Sequence, residues 1–224
     1  MTKISKKYKF AVIATDVAIF TVQDNELRVL LIKMKKSPFT GTWAVPGGLV
    51  KPSESVDEGA KRILKEKTGV VNVYLEQLYT FGKVNRDPFG RVVSVAYFAL
   101  IPSRGVSLQT TEEYADVDWF PVIELPKLAY DHSEVVDCAV NRLKAKLGYT
   151  NIVYSLLPSE FTLGELQNIY EIILDRALDK RNFRKKLFSL RLVRKTGKRQ
   201  IGEANRPAEL YAFVSKKMQR AEIL

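Results

Sequence analysis

The most constraining feature of this chain is a loop followed by a short helix at residues 47–70, GGLVKPSESVDEGAKRILKEKTGV. Ser55 and Glu58 have the spacing of a capping box, in which each side chain satisfies a backbone N–H group of the first helical turn. Gly69 is placed to end the helix, because glycine adopts the left-handed backbone conformation without strain. The sequence therefore predicts a helix that begins after Ser55 and ends at Gly69.

Segments rich in β-branched residues lie on both sides of this helix. Strands are predicted at residues 10–22, 27–34, 73–84, 92–102 and 116–122, because each run is bounded by Gly, Pro, Asp or Asn. The first two are separated by QDNE, a hairpin-like connection. A second helix is predicted at residues 133–147 from apolar residues at helical spacing. Residues 1–150 are therefore expected to form one domain of the α+β class, with a mixed sheet between helices.

The charge of the chain is concentrated after residue 150. Lys and Arg exceed Asp and Glu by 4 in residues 1–150 and by 7 in the remaining 74 residues. Between Lys180 and Gly202 there are ten Lys or Arg residues and no acidic residue. Such a one-sided run attracts phosphate backbones or anionic membrane surfaces. A basic face that serves only solubility is the alternative.

The order of elements after residue 150 favours nucleic acid. Thr162 and Glu165 form a second capping box, and Asp179 can cap the basic helix KRNFRKKLFSL that follows. Two strands are predicted at residues 191–196 and 208–213, joined by the long loop GKRQIGEANRP. Two helices and a basic hairpin predict a small winged helix-turn-helix domain at residues 151–224. Membrane attachment fits poorly, because the few apolar residues of the basic helix are needed for its core.

Residues 47–70 resemble the Nudix box, G-x5-E-x7-R-E-U-x-E-E-x-G-U, where U is aliphatic. The family helix carries glutamates that hold divalent cations, usually magnesium, against a diphosphate. The resemblance implies that Glu54 and Arg62 pair to brace the loop against the helix, and that they are scaffold together with the two glycines. The residues on matching positions are Gly48, Glu54, Arg62, Leu64, Glu66, Gly69 and Val70.

Two departures from the box remove family metal ligands. Ile63 and Lys67 occupy positions where the family has glutamate, so that only Glu66 remains acidic on the helical side expected to carry positions 63, 66 and 67. A hard cation needs several oxygen ligands, and an ammonium nearby repels it. The domain is therefore expected to lack hydrolysis, a metal ion and any other cofactor. Rescue by Asp57, Glu58 or a carboxylate from another loop is left open.

The whole chain resembles the Nudix-related transcriptional regulators often called NrtR, and LDKRNFRKKL is similar to their recognition-helix segment. Two further segments, FGKVNRDPFGRVVSVAYFAL and ELPKLAYDHSEVV, resemble Nudix proteins that handle ADP-ribose. The resemblance implies a Nudix fold followed by a winged helix-turn-helix domain. It also implies a homodimer on palindromic double-stranded operator DNA and an ADP-ribose-like or pentose effector. The expected function is that of a ligand-responsive transcriptional regulator with a Nudix domain that senses rather than hydrolyses.

Candidate site residues follow from side-chain chemistry. Aromatic rings, guanidinium forks and carboxylates suit a nucleotide sugar, although Phe39 and Trp43 can equally be core and RDPFG a simple turn. Arginine and asparagine read bases, and other cations neutralise phosphates. The ligand candidates are Phe39, Trp43, Glu66, Arg86, Asp87 and Arg91. The DNA candidates are Lys180, Arg181, Asn182, Arg184, Lys185, Lys195, Lys198, Arg199 and Arg206.

Two other functions compete with the regulator. One is an active ADP-ribose pyrophosphatase that uses magnesium at Glu66 and dimerises through its C-terminal part. The other is an RNA-associated Nudix binder, which the lack of paired exposed aromatic residues in the C-terminal part disfavours. His132 and Cys138, the sole histidine and cysteine, are interpreted as packing residues. A cytoplasmic protein is expected, because neither a signal peptide nor an apolar run long enough to span a membrane is found.

Overall fold

The computed structural model describes residues 10–103, 108, 114–200 and 207–224. A sheet with two helices is built from residues 12–149. Its elements are β1 Val12–Gln23, β2 Glu26–Met34, β3 Trp43–Ala44, β4 Gly47–Leu49, α1 Val56–Thr68, β5 Tyr74–Phe81, β6 Val92–Leu100, β7 Tyr114–Pro121 and α2 His132–Tyr149. The predicted elements are therefore present, with ends that differ by a few residues. β3 and β4 were not predicted, because two or three residues are too few to show a periodicity.

The sheet is mixed, as predicted, and β1 lies at its centre. β1 pairs in parallel with β6 and antiparallel with β2 and β4, while β5 continues the sheet beyond β6. β3 and β7 both pair with β2. The long parallel pairing of β1 with β6 brings residues 12–20 beside residues 92–100. Side chains near the starts of these two strands consequently meet, although they are far apart in the sequence.

Helices cover both faces of the sheet. On one face, Ala60, Ile63 and Leu64 of α1 pack on Val17 and Ile19 of β1. On the other face, the buried side of α2 packs against the residues of β1 and β6 that alternate with these. Burial on both faces explains why the middle of β1 is an almost continuous apolar run rather than an alternating one. Asp16 interrupts this run and is itself buried, with 5% of its surface exposed.

The C-terminal part has the predicted order of two helices and a hairpin. A short 3-10 helix, Ile152–Ser155, leads to α3 Leu163–Leu174, α4 Lys180–Ser189, β8 Val193–Gln200 and β9 Ala208–Phe213. The capping box of Thr162 and Glu165 starts α3, and Asp179 accepts a hydrogen bond from the Asn182 amide at the start of α4. Phe183 of α4 rests on Tyr170 of α3 with ring centroids 5.0 Å apart. Phe161 also pairs with Tyr211 through two backbone hydrogen bonds.

The two parts of the chain are joined by a shared apolar core. One continuous cluster of buried residues runs from the sheet through α2 and α3 to Ile223. At the junction, the buried Asn151 side chain donates to the Lys217 carbonyl at 3.2 Å and accepts from the Gln219 amide at 2.7 Å. The boundary predicted at residue 150 lies at the end of α2, and two separate domains remain a prediction. Within the described ranges, no helix is long and apolar enough to span a bilayer.

Candidate functional site

The loop before α1 is held to the helix by a partly buried ion pair. Glu54 accepts hydrogen bonds from Arg62 Nε at 3.0 Å and Nη2 at 2.7 Å, and from the Lys51 amide at 2.9 Å. The Arg62 hydrogen bonds, followed by the backbone bond from Lys51, lower the pKa of Glu54 to about 2. Arg62 Nη2 also donates to the Leu49 carbonyl at 3.1 Å. This is the brace that the sequence predicted, and it fixes β4 relative to α1.

The inner side of α1 carries no carboxylate. Ile63 is 2% exposed within the apolar core, and Lys67 is 3% exposed with its Nζ 4.0 Å from the centre of the Tyr114 ring. Glu66 faces solvent instead, 3.5 Å from Arg62 Nη1. The expectation that positions 63, 66 and 67 share one side is therefore wrong for Glu66. The apolar stripe of α1 sets its rotation, and residue 66 falls outside that stripe.

The other carboxylates at the start of α1 are engaged. Asp57 accepts from the Tyr97 hydroxyl, and Glu58 accepts from the amide and the hydroxyl of Ser55. Within the described ranges, no group of three or more His, Cys, Asp or Glu residues is arranged to hold a metal ion. The residues on this helix do not fit the divalent cations that the family resemblance implies, because a hard cation needs several free oxygen ligands.

A cavity of about 220 Å³ lies beside β4, on the same side of the sheet as the start of α2. Its wall combines apolar strand residues with a small group of charged and aromatic side chains. Gly47 is essential to its shape, because a Cβ atom there would lie 2.2 Å from Asp16 Oδ1. The polar and aromatic lining residues are Asp16, Arg86, Asp87, Tyr114, Tyr130 and His132.

Arg86 is the buried cation of this cavity. Its Nη2 lies 3.1 Å from Asp16 Oδ2 and 2.6 Å from Asp131 Oδ1, and its Nε donates to Asp131 Oδ2 at 2.9 Å. Burial opposes the charge, but the hydrogen bond to Asp131 and the charges of both aspartates raise the pKa of Arg86. Ser94 donates to Asp16 Oδ2 at 2.6 Å. The cavity wall therefore places carboxylate oxygens, which can accept hydrogen bonds from hydroxyl groups, beside a guanidinium group.

His132 is a buried neutral side chain at the start of α2. Burial lowers its pKa. The Val45 amide donates to Nδ1 at 2.9 Å, so that the proton of the neutral ring is on Nε2, which lies 3.7 Å from Asp16 Oδ1. The ring thus links β1 and α2 to the residue that follows β3, and the packing role interpreted from the sequence agrees with its position. Its place in the cavity wall was not predicted.

The predicted ligand residues fall into two groups. Arg86 and Asp87 line the cavity, and Phe39 packs on Tyr130 with ring centroids 4.3 Å apart at an outer cleft of about 730 Å³ that shares Arg86 and Tyr130 with the cavity. Three others lie outside both spaces: Glu66, as described, Trp43 and Arg91.

Trp43 and Arg91 have structural contacts where they lie. Trp43 packs against Phe120 with ring centroids 4.6 Å apart, because successive side chains of β3 point to opposite sides and Ala44 faces the cavity. Arg91 donates to the carbonyls of Lys83 and Val92. The RDPFG segment forms a turn in which Asp87 accepts from the Phe89 amide at 2.8 Å. The structure thus supports the core interpretation of Trp43 and the turn interpretation of this segment.

The basic helix α4 presents most of its predicted DNA residues to solvent. Lys180, Arg181, Asn182 and Lys185 are exposed, whereas Phe183 and Leu187 are buried. Arg184, another of the DNA candidates, is only partly exposed, and its Nε is buried without a hydrogen-bond partner. Arg184 follows the buried Phe183 in the chain, and part of its side chain is covered. Three cations of α4, Lys180, Arg181 and Lys185, are therefore accessible to solvent.

The wing hairpin, formed by β8 and β9, carries the remaining residues that were predicted to contact phosphates. Lys195 Nζ lies 2.9 Å from Glu209 Oε2, and Lys198 Nζ lies 2.9 Å from Glu160 Oε1. Arg199 is exposed. Arg206, the last of the predicted DNA contacts, lies outside the described residues. The two lysine ion pairs were not predicted, because each joins residues that are distant in the sequence.

Comparisons with known proteins agree with both parts of the fold. The NUDIX domain model matches residues 13–139, and the model of the NrtR DNA-binding winged helix domain matches residues 153–213. The chain is 39% identical over 210 residues to the ADPR responsive transcriptional repressor NtrR of Acinetobacter baylyi, covering 92% of this chain and 83% of the relative.

Solved structures give the same result. Shewanella oneidensis NrtR complexed with a 27mer DNA has a TM-score of 0.80 and 36% identity, covering 90% of this chain and 93% of that chain. The NUDIX domain of the same protein complexed with ADP ribose has a TM-score of 0.56 and 37% identity, covering 63% of this chain and 94% of that chain.

Proposed function

Since the chain belongs to the NrtR family, in which a Nudix domain precedes a winged-helix domain, we propose that it is an ADP-ribose-responsive transcriptional repressor that acts in the cytoplasm. One observation carries this proposal. A basic winged helix shares a continuous core with a Nudix domain whose box helix turns Ile63 and Lys67 inward, where metal ligands are needed. A receptor is thereby attached to a DNA-binding module, and the means of hydrolysis is absent from the helix.

The cavity and the outer cleft together supply the groups that recognise ADP-ribose. Asp16 and Asp87 can accept hydrogen bonds from ribose hydroxyls, and Arg86 offers donors to a phosphate oxygen. The tilted pair of Phe39 and Tyr130 offers an aromatic surface for the adenine ring. The cavity of about 220 Å³ holds one part of such a ligand, and the cleft that shares Arg86 and Tyr130 receives the rest.

The ligand signal is expected to reach DNA through α2. This helix begins at His132 in the cavity wall and ends at Tyr149, beside the chain that enters the winged helix. In a homodimer, two α4 helices would meet successive major grooves about 34 Å apart. A ligand that binds one arrangement of the two copies more tightly than the other changes that separation, and only this difference in affinity changes DNA binding.

The proposal is tested by measuring how the protein binds overlapping DNA duplexes that together cover the regions upstream of its own and neighbouring genes. The protein is expected to bind a subset of duplexes with steep salt dependence, and added ADP-ribose is expected to change that affinity, whereas ribose or arabinose is not. Arg181→Ala should weaken operator binding by about 1–3 kcal/mol if Arg181 reads a base. Lys61→Ala, an exposed lysine on α1, is the matched control. Absence of salt-dependent DNA binding would exclude the repressor.

A hydrolysis assay separates the proposal from an active pyrophosphatase. Wild-type protein is incubated with ADP-ribose and magnesium, and AMP release is followed. We expect no turnover above the uncatalysed rate, since α1 lacks the ligands for a metal. Brisk turnover that Glu66→Gln abolishes would establish the enzyme instead. A preference for single-stranded RNA over duplex DNA would favour the RNA binder.

A further inference from the structure

The wing hairpin has a carboxylate among its cations. Among the described residues of β8 and β9, Glu209 is the one acidic side chain. Its Oε2 lies 2.9 Å from Lys195 Nζ, and the strand register places Arg199 directly opposite it. Lys195 is 63% exposed, so the pair is formed at the surface. The hydrogen bond from Lys195 lowers the pKa of Glu209, which therefore stays ionised at neutral pH.

This ion pair lies on the side of the hairpin that faces the basic helix. Glu209 and Tyr211 are two residues apart on β9, so their side chains point to the same side, and the Tyr211 hydroxyl donates to Glu209 at 3.4 Å. The Tyr211 ring packs against Phe188 of α4 with centroids 5.9 Å apart. Glu209 and its partner Lys195 are therefore carried on the side of the hairpin next to α4, the helix proposed to enter the major groove.

We propose that Glu209 is an intramolecular competitor of the DNA phosphates for Lys195. When the protein binds a duplex, the ammonium of Lys195 exchanges the carboxylate for a backbone phosphate, and the free carboxylate repels the strand. Glu209 thereby lowers the affinity for all duplexes by the same factor, because phosphates carry no sequence information. The inference rests on the proposed function, since it concerns the same DNA-binding face.

The experiment compares wild-type protein with Glu209→Gln, which keeps the size and hydrogen-bonding capacity of the side chain but removes its charge. Affinities are measured for one of the overlapping upstream duplexes that the wild-type protein binds and for an unrelated duplex of equal length. We expect the variant to bind both about two- to fivefold more tightly at low salt, the range of an exposed ion pair. The gain should shrink as salt rises, because exposed charges are screened.

Two controls identify the mechanism. Glu124→Gln makes the same change in net charge at an exposed residue in the loop after β7, and it should leave both affinities unchanged. In a Lys195→Gln background, Glu209→Gln should give a clearly smaller gain, because the competed cation is gone and only the repulsion between the carboxylate and the strand is relieved. Unfolding midpoints confirm that each variant is folded.

Three results would overturn the inference while leaving the repressor intact. They are unchanged affinity in Glu209→Gln, an equal gain in Glu124→Gln, and a gain that is not reduced in the Lys195→Gln background. Wild-type protein that binds no duplex would instead refute the proposed function, and this inference with it.

Discussion

Arg86 donates two hydrogen bonds to Asp131, at 2.9 Å from Nε and 2.6 Å from Nη2, and so fixes the residue that immediately precedes α2. The same guanidinium reaches Asp16 in the middle of β1 at 3.1 Å. One buried cation consequently holds together the central strand, the cavity wall and the helix that leads to the winged helix. A ligand oxygen that accepted from Arg86 would compete with the group that anchors α2.

Removing this cation is expected to destabilise the fold strongly. Arg86→Met leaves two carboxylates buried without their partner, which costs about 3–5 kcal/mol of unfolding free energy in comparable sites. Urea denaturation measures the loss. Arg91→Met is the control, because Arg91 is exposed on the same connection and its change should stay within about 0.5 kcal/mol. Equal stabilities of the two variants would show that the Arg86 cluster is not a structural anchor.

Gly47 is expected to tolerate no side chain. A Cβ atom at this position would lie 2.2 Å from Asp16 Oδ1 and 3.0 Å from the Thr15 carbonyl, so Gly47→Ala must displace Asp16 from Arg86. We expect lower stability and weaker ADP-ribose binding, measured by denaturation and calorimetry. Gly148→Ala in α2 meets nothing within 4 Å and should be neutral or stabilising. Wild-type ligand affinity in Gly47→Ala would contradict this view of the cavity.

His132 is expected to make stability depend on pH below the ordinary pKa of histidine, 6.5. Its folded pKa is lowered by burial, so the unfolded chain takes up a proton first as the pH falls. The contribution of His132 to the free energy of unfolding is therefore constant above pH 6.5. Below pH 6.5 the free energy of unfolding falls, by no more than about 1.4 kcal/mol per pH unit for one proton. Since His132 is the sole histidine, the test is direct. Unfolding of wild type and His132→Asn is compared at pH 7.5 and 5.5, and parallel losses would refute the assignment.

Features with local determinants were predictable from the sequence. The caps at Ser55, Thr162 and Asp179 and the left-handed Gly69 each depend on residues within one turn, and the structure contains all four. The brace between Glu54 and Arg62 was accessible because a family motif records it. Element order followed from periodicity, which is also a local property of the chain.

Features that depend on distant contacts were not predictable in this way. Asp16 meets Ser94 across 78 positions because β1 and β6 pair in parallel, and Arg86 reaches Asp16 from the connection between β5 and β6. Trp43 faces the core rather than the cavity because a two-residue strand sets its direction. The one available signal was the charged Asp16 inside an apolar strand, since a buried carboxylate needs a partner.

Restoring the two missing glutamates is not expected to restore hydrolysis. Ile63 packs against Val17 and Ile19, so Ile63→Glu places an unpaired charge in the core and should cost about 3–5 kcal/mol. The double variant Ile63→Glu with Lys67→Glu should therefore unfold at lower urea and release no AMP from ADP-ribose with magnesium. Val71→Glu, at a residue that is 54% exposed beyond α1, is the control for introducing a glutamate. A stable double variant with magnesium-dependent turnover would show that residues 63 and 67 alone had disabled a complete catalytic site, and that the remaining carboxylates of α1 are free to bind metal.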